Sequence, residues 1–191
     1  MTPPTIDDGI GLTWVTIGIV WLLGMLRVKP KVRSEPGSVR AAEMALALLG
    51  SSLIGSTWYA NTWLATRIFP ENQTIRVAGL VLTVFGGLFA IWARFALAGN
   101  WSGHVSVKEG HELITAGPYA FVRHPIYSGL LTALTGTALA NGQWRAVLGL
   151  SVLFVALWVK IRCEEKFMLE TFPVPYQFYR RRVKRLIPWV F

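Results

Sequence analysis

The sequence predicts an all-α integral membrane protein with about five transmembrane helices. Three observations carry that expectation. Only 15% of the 191 residues are charged while 53% are hydrophobic, against roughly 25% charged in soluble domains. The uncharged stretches are long enough to cross a bilayer, and the basic residues are sorted to one side of it. A 13% aromatic content with nine tryptophans excludes a disordered chain. A single cysteine, Cys163, excludes an intramolecular disulfide framework.

Residues 9–26 are uncharged for eighteen positions, close to the ~20 that a helix needs to cross the hydrocarbon. Asp7 and Asp8 stand where a cleaved leader would carry basic residues, so this first span is expected to stay in the mature chain. Residues 30–38, with Pro36 and Gly37, read as a flexible linker. Residues 44–66 and 77–93, uncharged for twenty-three and seventeen positions, form the second and third spans. Residues 126–144 and 146–159 follow, separated only by Arg145, and Asn141, Gly142 and Gln143 mark the bend of a tight helical hairpin. Thr132, Gly136 and Ala140 recur every four residues, and Gly86 and Gly87 sit on the third span; both sets suit close helix packing. The tryptophans mostly fall near span ends, as interfacial anchors do.

Five spans put the termini on opposite sides. One side then holds Arg27, Lys29, Lys31, Arg33, Arg40, Arg94, Lys108, Arg123 and the eight basic residues from Lys160 to Arg185, and the other only Arg67, Arg76 and Arg145. The positive-inside rule places the N-terminus outside and the C-terminus in the cytosol, across an inner or plasma membrane whose anionic lipid also favours such clusters. The net charge of +9 is thereby a feature of topology, and no nucleic-acid partner is expected.

The spans are almost free of ionisable groups, unlike the pathway of a transporter. Glu43 sits at the mouth of the second span, and the polar weight falls in residues 94–127 and 160–185. His104, His111 and His124, all three histidines, lie in the first of these stretches. That distribution points to a reaction at the cytosolic interface, between a soluble molecule and a lipid-soluble one. The histidines lack the close helical spacing of a zinc site, so no metal is expected, and Cys163 reads as a passive neighbour.

The sharpest segment runs from Gly117 to Gly129. Gly117 and Pro118 set a turn, and Pro125 suits the first helical position, so Arg123 and His124 lie at the positive end of a helix, where an anion is welcome. The plainer alternative has Arg123 reaching to lipid headgroups and His124 merely capping the helix. In the tail, Lys160 with Glu164 and Arg162 with Glu165 have the spacing of ordinary surface ion pairs, and the basic run 180–185 suits acidic lipid.

Asn100-Trp101-Ser102-Gly103-His104-Val105, then Lys108 to Tyr119, then Arg123-His124-Pro125 with Tyr127 and Gly129, resemble the core of the isoprenylcysteine carboxyl methyltransferase family of integral membrane methyltransferases. The tail is similar to the family's acidic pair, paired tyrosines and Arg-Val ending, here Glu164 and Glu165, Tyr176 and Tyr179, and Arg182 with Val183. The resemblance covers roughly the C-terminal half. It divides the chain into residues 1–93, three transmembrane helices, and residues 94–191, a methyltransferase core of cofactor loop, hairpin 126–159 and cytosolic tail 160–191.

The resemblance implies a cytosolic pocket for S-adenosyl-L-methionine, formed by the loop before the fourth helix and the helical tail. Its contacts would come from His104, His111, Glu112, Leu113, Ile114, Tyr119, His124, Pro125, Ile126, Tyr127 and Glu164. A substrate-orienting cation would be Lys160 or Arg162. The acceptor would be a lipophilic small molecule or a prenylated chain, most simply methylated on a carboxylate, which needs alignment and a drier site but no base. A thiol, amine or phenol would lose a proton, to His124 or a tyrosine. Related modules occur in phospholipid methyltransferases and sterol reductases, so a phospholipid, amine or thiol methyltransferase and a nicotinamide-dependent reductase are alternatives. A non-catalytic transporter or assembly protein is the rival from another class.

Overall fold

A reciprocal cap opens the first helix. The Thr5 amide donates to the Asp8 carboxylate at 2.8 Å and the Asp8 amide to the Thr5 hydroxyl at 3.2 Å, satisfying amides that have no partner within the helix. From there α1 (Ile6–Met25) runs for twenty residues. The structure, a computed structural model, describes residues 4–25, 31–34, 37–97, 106–108 and 113–190. The expected contacts His104, His111 and Glu112 lie outside the described residues.

The other helices are α2 (Gly37–Gly55), α3 (Gln73–Leu97), α4 (Pro125–Asn141), α5 (Trp144–Thr171) and α6 (Pro173–Arg182). Four of them, α1, α2, α3 and α5, are long and apolar enough to cross a membrane. The seventeen residues of α4 stand at the lower limit for a crossing. Large apolar side chains such as Leu12, Leu48, Phe85 and Leu88 are exposed around the outside, while small residues such as Ala90, Ala93 and Ala133 are fully buried. That inverts the pattern of a soluble bundle, and the chain is a multi-pass membrane protein.

Small residues decide which helices touch. Gly79, Thr83, Gly86 and Ala90 of α3 meet Gly129, Ala133, Gly136 and Ala140 of α4, and a methyl added at Gly136 would stand 2.5 Å from the Gly79 carbonyl oxygen. Without large side chains between them the two backbones approach closely, as membrane helices need. Of the expected stripe, Gly136 and Ala140 join this seam, while Thr132 faces an outer groove. Gly50 of α2 lies equally close to Gly149 of α5. Across the bundle the Trp14 indole donates to the Thr137 hydroxyl at 3.0 Å.

The hairpin bends where expected. Gly142 ends α4 in the left-handed region, φ 63°, and its amide donates to the Ala138 carbonyl at 2.9 Å. Arg145 then turns back onto α2, donating to the Ile54 and Ser56 carbonyls at 3.1 and 2.7 Å. Arg76 likewise joins Asp7 and Glu71, at 2.8 and 2.7 Å. Two of the three basic residues assigned to the outer side, Arg76 and Arg145, are therefore tied into helix ends.

Two boundaries differ from expectation. The second helix occupies 37–55 instead of 44–66: Gly55 ends it, and Ser56 caps the short turn Thr57–Tyr59 by accepting from the Trp58 amide at 3.1 Å. The stretch read as a flexible linker contains β1 (Lys31–Ser34), which pairs antiparallel with β2 (Ser106–Lys108) in a small ribbon. At the far end, α5 extends without a break from the apolar stretch 146–159 through Thr171. Its 28 residues span about 42 Å, more than the ~30 Å of hydrocarbon, so the charged turns after Val159 project beyond it.

Candidate functional site

The site grows from the turn before α4. Gly117 takes a left-handed φ of 61°, Pro118 follows, and the resulting turn Gly117–Ala120 buries Tyr119. The Tyr179 hydroxyl of α6 donates to the Tyr119 carbonyl at 2.6 Å. The Arg123 and His124 amides donate to the Lys184 and Arg185 carbonyls at 2.7 and 3.0 Å, and the Ser128 hydroxyl donates to the Leu186 carbonyl at 2.7 Å. The segment after α6 thus lies alongside the start of α4, with Val122 and Lys184 paired in parallel.

Pro125 and Ile126 are buried in the first turn of α4, and His124 occupies the cap position without a side-chain cap bond. Its ring instead sits between two carboxylates of α5, with Nδ1 3.4 Å from Glu164 and Nε2 3.4 Å from Glu165. Tyr127 stacks on it at 5.7 Å between ring centroids and 13° between planes, and its hydroxyl donates to Glu164. Two of the expected contacts, His124 and Tyr127, therefore meet a third, Glu164, although some forty positions separate them. Leu113 and Ile114 are half-buried in the chain leading to the turn.

The expected cations separate in space. Lys160 lies one turn before Glu164 on the same face and acts on that carboxylate through its charge. Arg162 is exposed, with its guanidinium 5.2 Å from the Trp158 ring centroid.

Glu165 differs most from expectation. It does not serve as a surface partner of Arg162, because helix rotation turns it inward beside Ile161. Arg123 donates to it through Nε at 2.9 Å and Nη2 at 2.6 Å, and Arg185 through Nη2 at 2.9 Å. Arg123 spends its remaining donor on the Val183 and Arg180 carbonyls, at 2.5 and 3.1 Å, and so does not reach to lipid headgroups. The sequence signal for its burial was the four-residue spacing of Ile161 and Glu165 on one helix face; the partial burial of Arg185 beside the exposed Arg180 to Arg182 and Lys184 shows only in the structure.

Burial disfavours the charged forms of these groups, but their mutual bonds win. The two carboxylates hold the His124 imidazole above its usual range despite that burial. Burial pushes the Glu165 carboxyl up, and His124, Arg185 and Arg123 outweigh it, keeping the group well below the ordinary carboxylate value. Desolvation raises the Tyr119, Tyr176 and Tyr179 phenols, so all three stay protonated.

Beside this cluster lies an apolar groove of about 820 Å³, walled by Phe85, Leu88, Phe89 and Trp92 of α3, Phe121 and Val122, Ser128 and Thr132 of α4, and Leu186 to Pro188 of the terminal segment. Val122 and Ser128 place its edge next to His124.

Fold and site define a class: a multi-pass helical membrane protein with a charged cluster where its helices leave the apolar layer. Residues 79–170 match the isoprenylcysteine carboxyl methyltransferase family, and through that segment, from the α3–α4 seam to the end of α5, the chain is similar to it. It is 31% identical over 127 residues to protein-S-isoprenylcysteine O-methyltransferase of Schizosaccharomyces pombe, covering 64% of this chain and 52% of that relative. It is 34% identical over 120 residues to methanethiol S-methyltransferase 1 of Bradyrhizobium diazoefficiens, covering 61% and 41%. A third relative is the cobalt-zinc-cadmium resistance protein CzcN of Cupriavidus metallidurans, 26% identical over 124 residues and covered to 52%. The chain spans about half the length of these curated relatives.

Proposed function

We propose that the chain is an S-adenosyl-L-methionine-dependent methyltransferase that acts at the cytosolic membrane interface on a lipophilic or prenyl-like acceptor, with carboxylate O-methylation the principal reading. The single observation that carries it is the approach of His124 and Tyr127, at the start of α4, to Glu164 on α5. The donor set suits such a cofactor. The N-terminus of α4 favours a carboxylate, the Glu164 oxygens accept from an ammonium or ribose hydroxyls, and the stacked His124–Tyr127 pair offers a flat face. Leu113, Ile114, Tyr119, Pro125 and Ile126 would line the same place, with His104, His111 and Glu112 completing it from the preceding loop.

When bound, the cofactor supplies an electrophilic methyl on a sulfonium. The protein's part is to hold an acceptor in line with it and to exclude water. Two carboxylates favour the protonated form of His124, and in that form the ring has no lone pair with which to take a proton. It therefore serves as a donor and not as the base, which favours an acceptor already ionised at neutral pH. Lys160, one turn from Glu164, would set that acceptor's charge, in preference to the outward Arg162. The apolar groove beside Val122 and Ser128 gives a hydrocarbon chain a dry path to the site.

A thiol acceptor is the second reading, favoured by the 34% identity to a relative named for methanethiol. Titration of the purified full-length chain with S-adenosylhomocysteine tests the cofactor assignment. Saturable binding is expected, with no retention of NADPH, and Glu164→Ala and His124→Ala should each weaken it at least tenfold. Folded variants that bind normally would remove the site assignment.

A further inference from the structure

Glu165 joins three parts of the chain that are distant in sequence: the turn before α4, the body of α5 and the segment after α6. Its carboxylate receives Arg123 from the first and Arg185 from the last, and stands 3.4 Å from the His124 ring. Two guanidinium groups and the His124 ring thus meet at one carboxylate, and Arg123 passes the connection on to the Arg180 and Val183 carbonyls. Without that carboxylate, the two guanidinium groups would face each other in a partly desolvated space. The terminal segment is held there by this contact, by the Arg185 guanidinium over the Trp158 ring, by the Ser128 hydroxyl on the Leu186 carbonyl and by backbone bonds to Arg123 and His124.

Resting on the cofactor reading above, we propose that Glu165 is a positioning residue: by pinning Arg123 and Arg185 it docks residues 183–186 against residues 122–124, turns the His124 ring toward Glu164, and so couples docking of the terminal segment to retention of the cofactor. His124 is the shared part. One ring nitrogen faces the pin and the other faces the proposed cofactor contact. Coupling of this kind is reciprocal, so a bound cofactor must hold the terminal segment down as firmly as the docked segment holds the cofactor.

Two amides report docking directly. Those of Arg123 and His124 have no helical partner and are protected by the Lys184 and Arg185 carbonyls. Their hydrogen exchange, measured by mass spectrometry on the full chain in nanodiscs, is followed with and without S-adenosylhomocysteine, beside the dissociation constant of that ligand. For Glu165→Gln the expected result is a dissociation constant raised at least tenfold and faster exchange at both amides, with Glu165→Asp restoring much of each. In the unaltered chain, saturating ligand should slow exchange at the same two amides. Should Glu165→Gln fail to fold, Arg185→Gln carries the same readouts. Unchanged affinity in a variant whose amides exchange faster, or no slowing by ligand in the unaltered chain, overturns the coupling. An unaltered chain that binds no ligand at all overturns the cofactor reading itself, and this inference with it.

Discussion

Glu164 and Glu165 are neighbours on one helix, and about 100° of rotation between them gives each a different task. Glu164 faces Tyr127, the δ nitrogen of His124 and the charge of Lys160; Glu165 faces Arg123 and Arg185. The Arg123 and Glu165 side chains are both 7% exposed, so removing Glu165 leaves the Arg123 charge buried without its carboxylate, which typically costs about 3–5 kcal/mol. The sign of the pH effect follows from the Glu165 carboxyl lying below its ordinary value of 4.5 in the folded chain. Its contribution is complete above that value and is lost as the pH falls beneath it toward the folded value. Thermal stability in detergent should accordingly fall as the pH drops from about 5 into strong acid, and Glu165→Gln should be less stable and flatter across that window. An unaltered dependence in the variant would show that other carboxylates govern it. At this scale His124, Pro125, Tyr127 and Glu164 were legible because they sit within a compact motif or beside one. Arg123 and Arg185 share Glu165 across 42 and 20 positions, and nothing local in the sequence marks such a partnership.

Helices here are placed by the absence of side chains. A methyl at Gly86 would lie 2.4 Å from the Ala133 nitrogen, and one at Gly136 as close to the opposite backbone, whereas Gly18 on α1 has no atom within 4 Å of the same point. Gly136→Leu should therefore destabilise the detergent-solubilised chain by about 1–3 kcal/mol or prevent assembly, and Gly18→Leu should leave the unfolding midpoint nearly unchanged. Equal tolerance of both would dissolve the seam that sets the angle of α4. The hairpin between α4 and α5 was readable because Gly142 can take a positive φ at a helix end, and Pro125 marks the opposite end of α4. The shift of the second helix from 44–66 to 37–55 was not. Charge-free length locates apolar chain but not the turn that ends a helix, and the Ser56 cap that stops it resembles any serine in the sequence. Strands of three and four residues, as in the ribbon, are too short to show a period.

At the scale of the whole molecule, charge and apolar surface are separated along one axis. Arg76 and Arg145 are consumed in tying helix ends together on one side, while Arg123, Lys160 and Arg185 gather with the two glutamates on the other. The apolar groove meets that cluster at Val122 and Ser128, where, on the proposed function, a water-borne cofactor and a lipid-borne acceptor would approach from different phases. The proposed orientation makes this end cytosolic. S-adenosylmethionine is charged and does not cross a sealed bilayer unaided, so sidedness and cofactor use can be read together. Radiolabelled S-adenosylmethionine is added to sealed membrane vesicles carrying the chain, prepared inside-out and right-side-out. Label is expected on inside-out vesicles alone, displaced by S-adenosylhomocysteine and lost in Glu164→Ala. Label confined to right-side-out vesicles, or none on either, would contradict a cytosolic methyl-donor site between α4 and the tail.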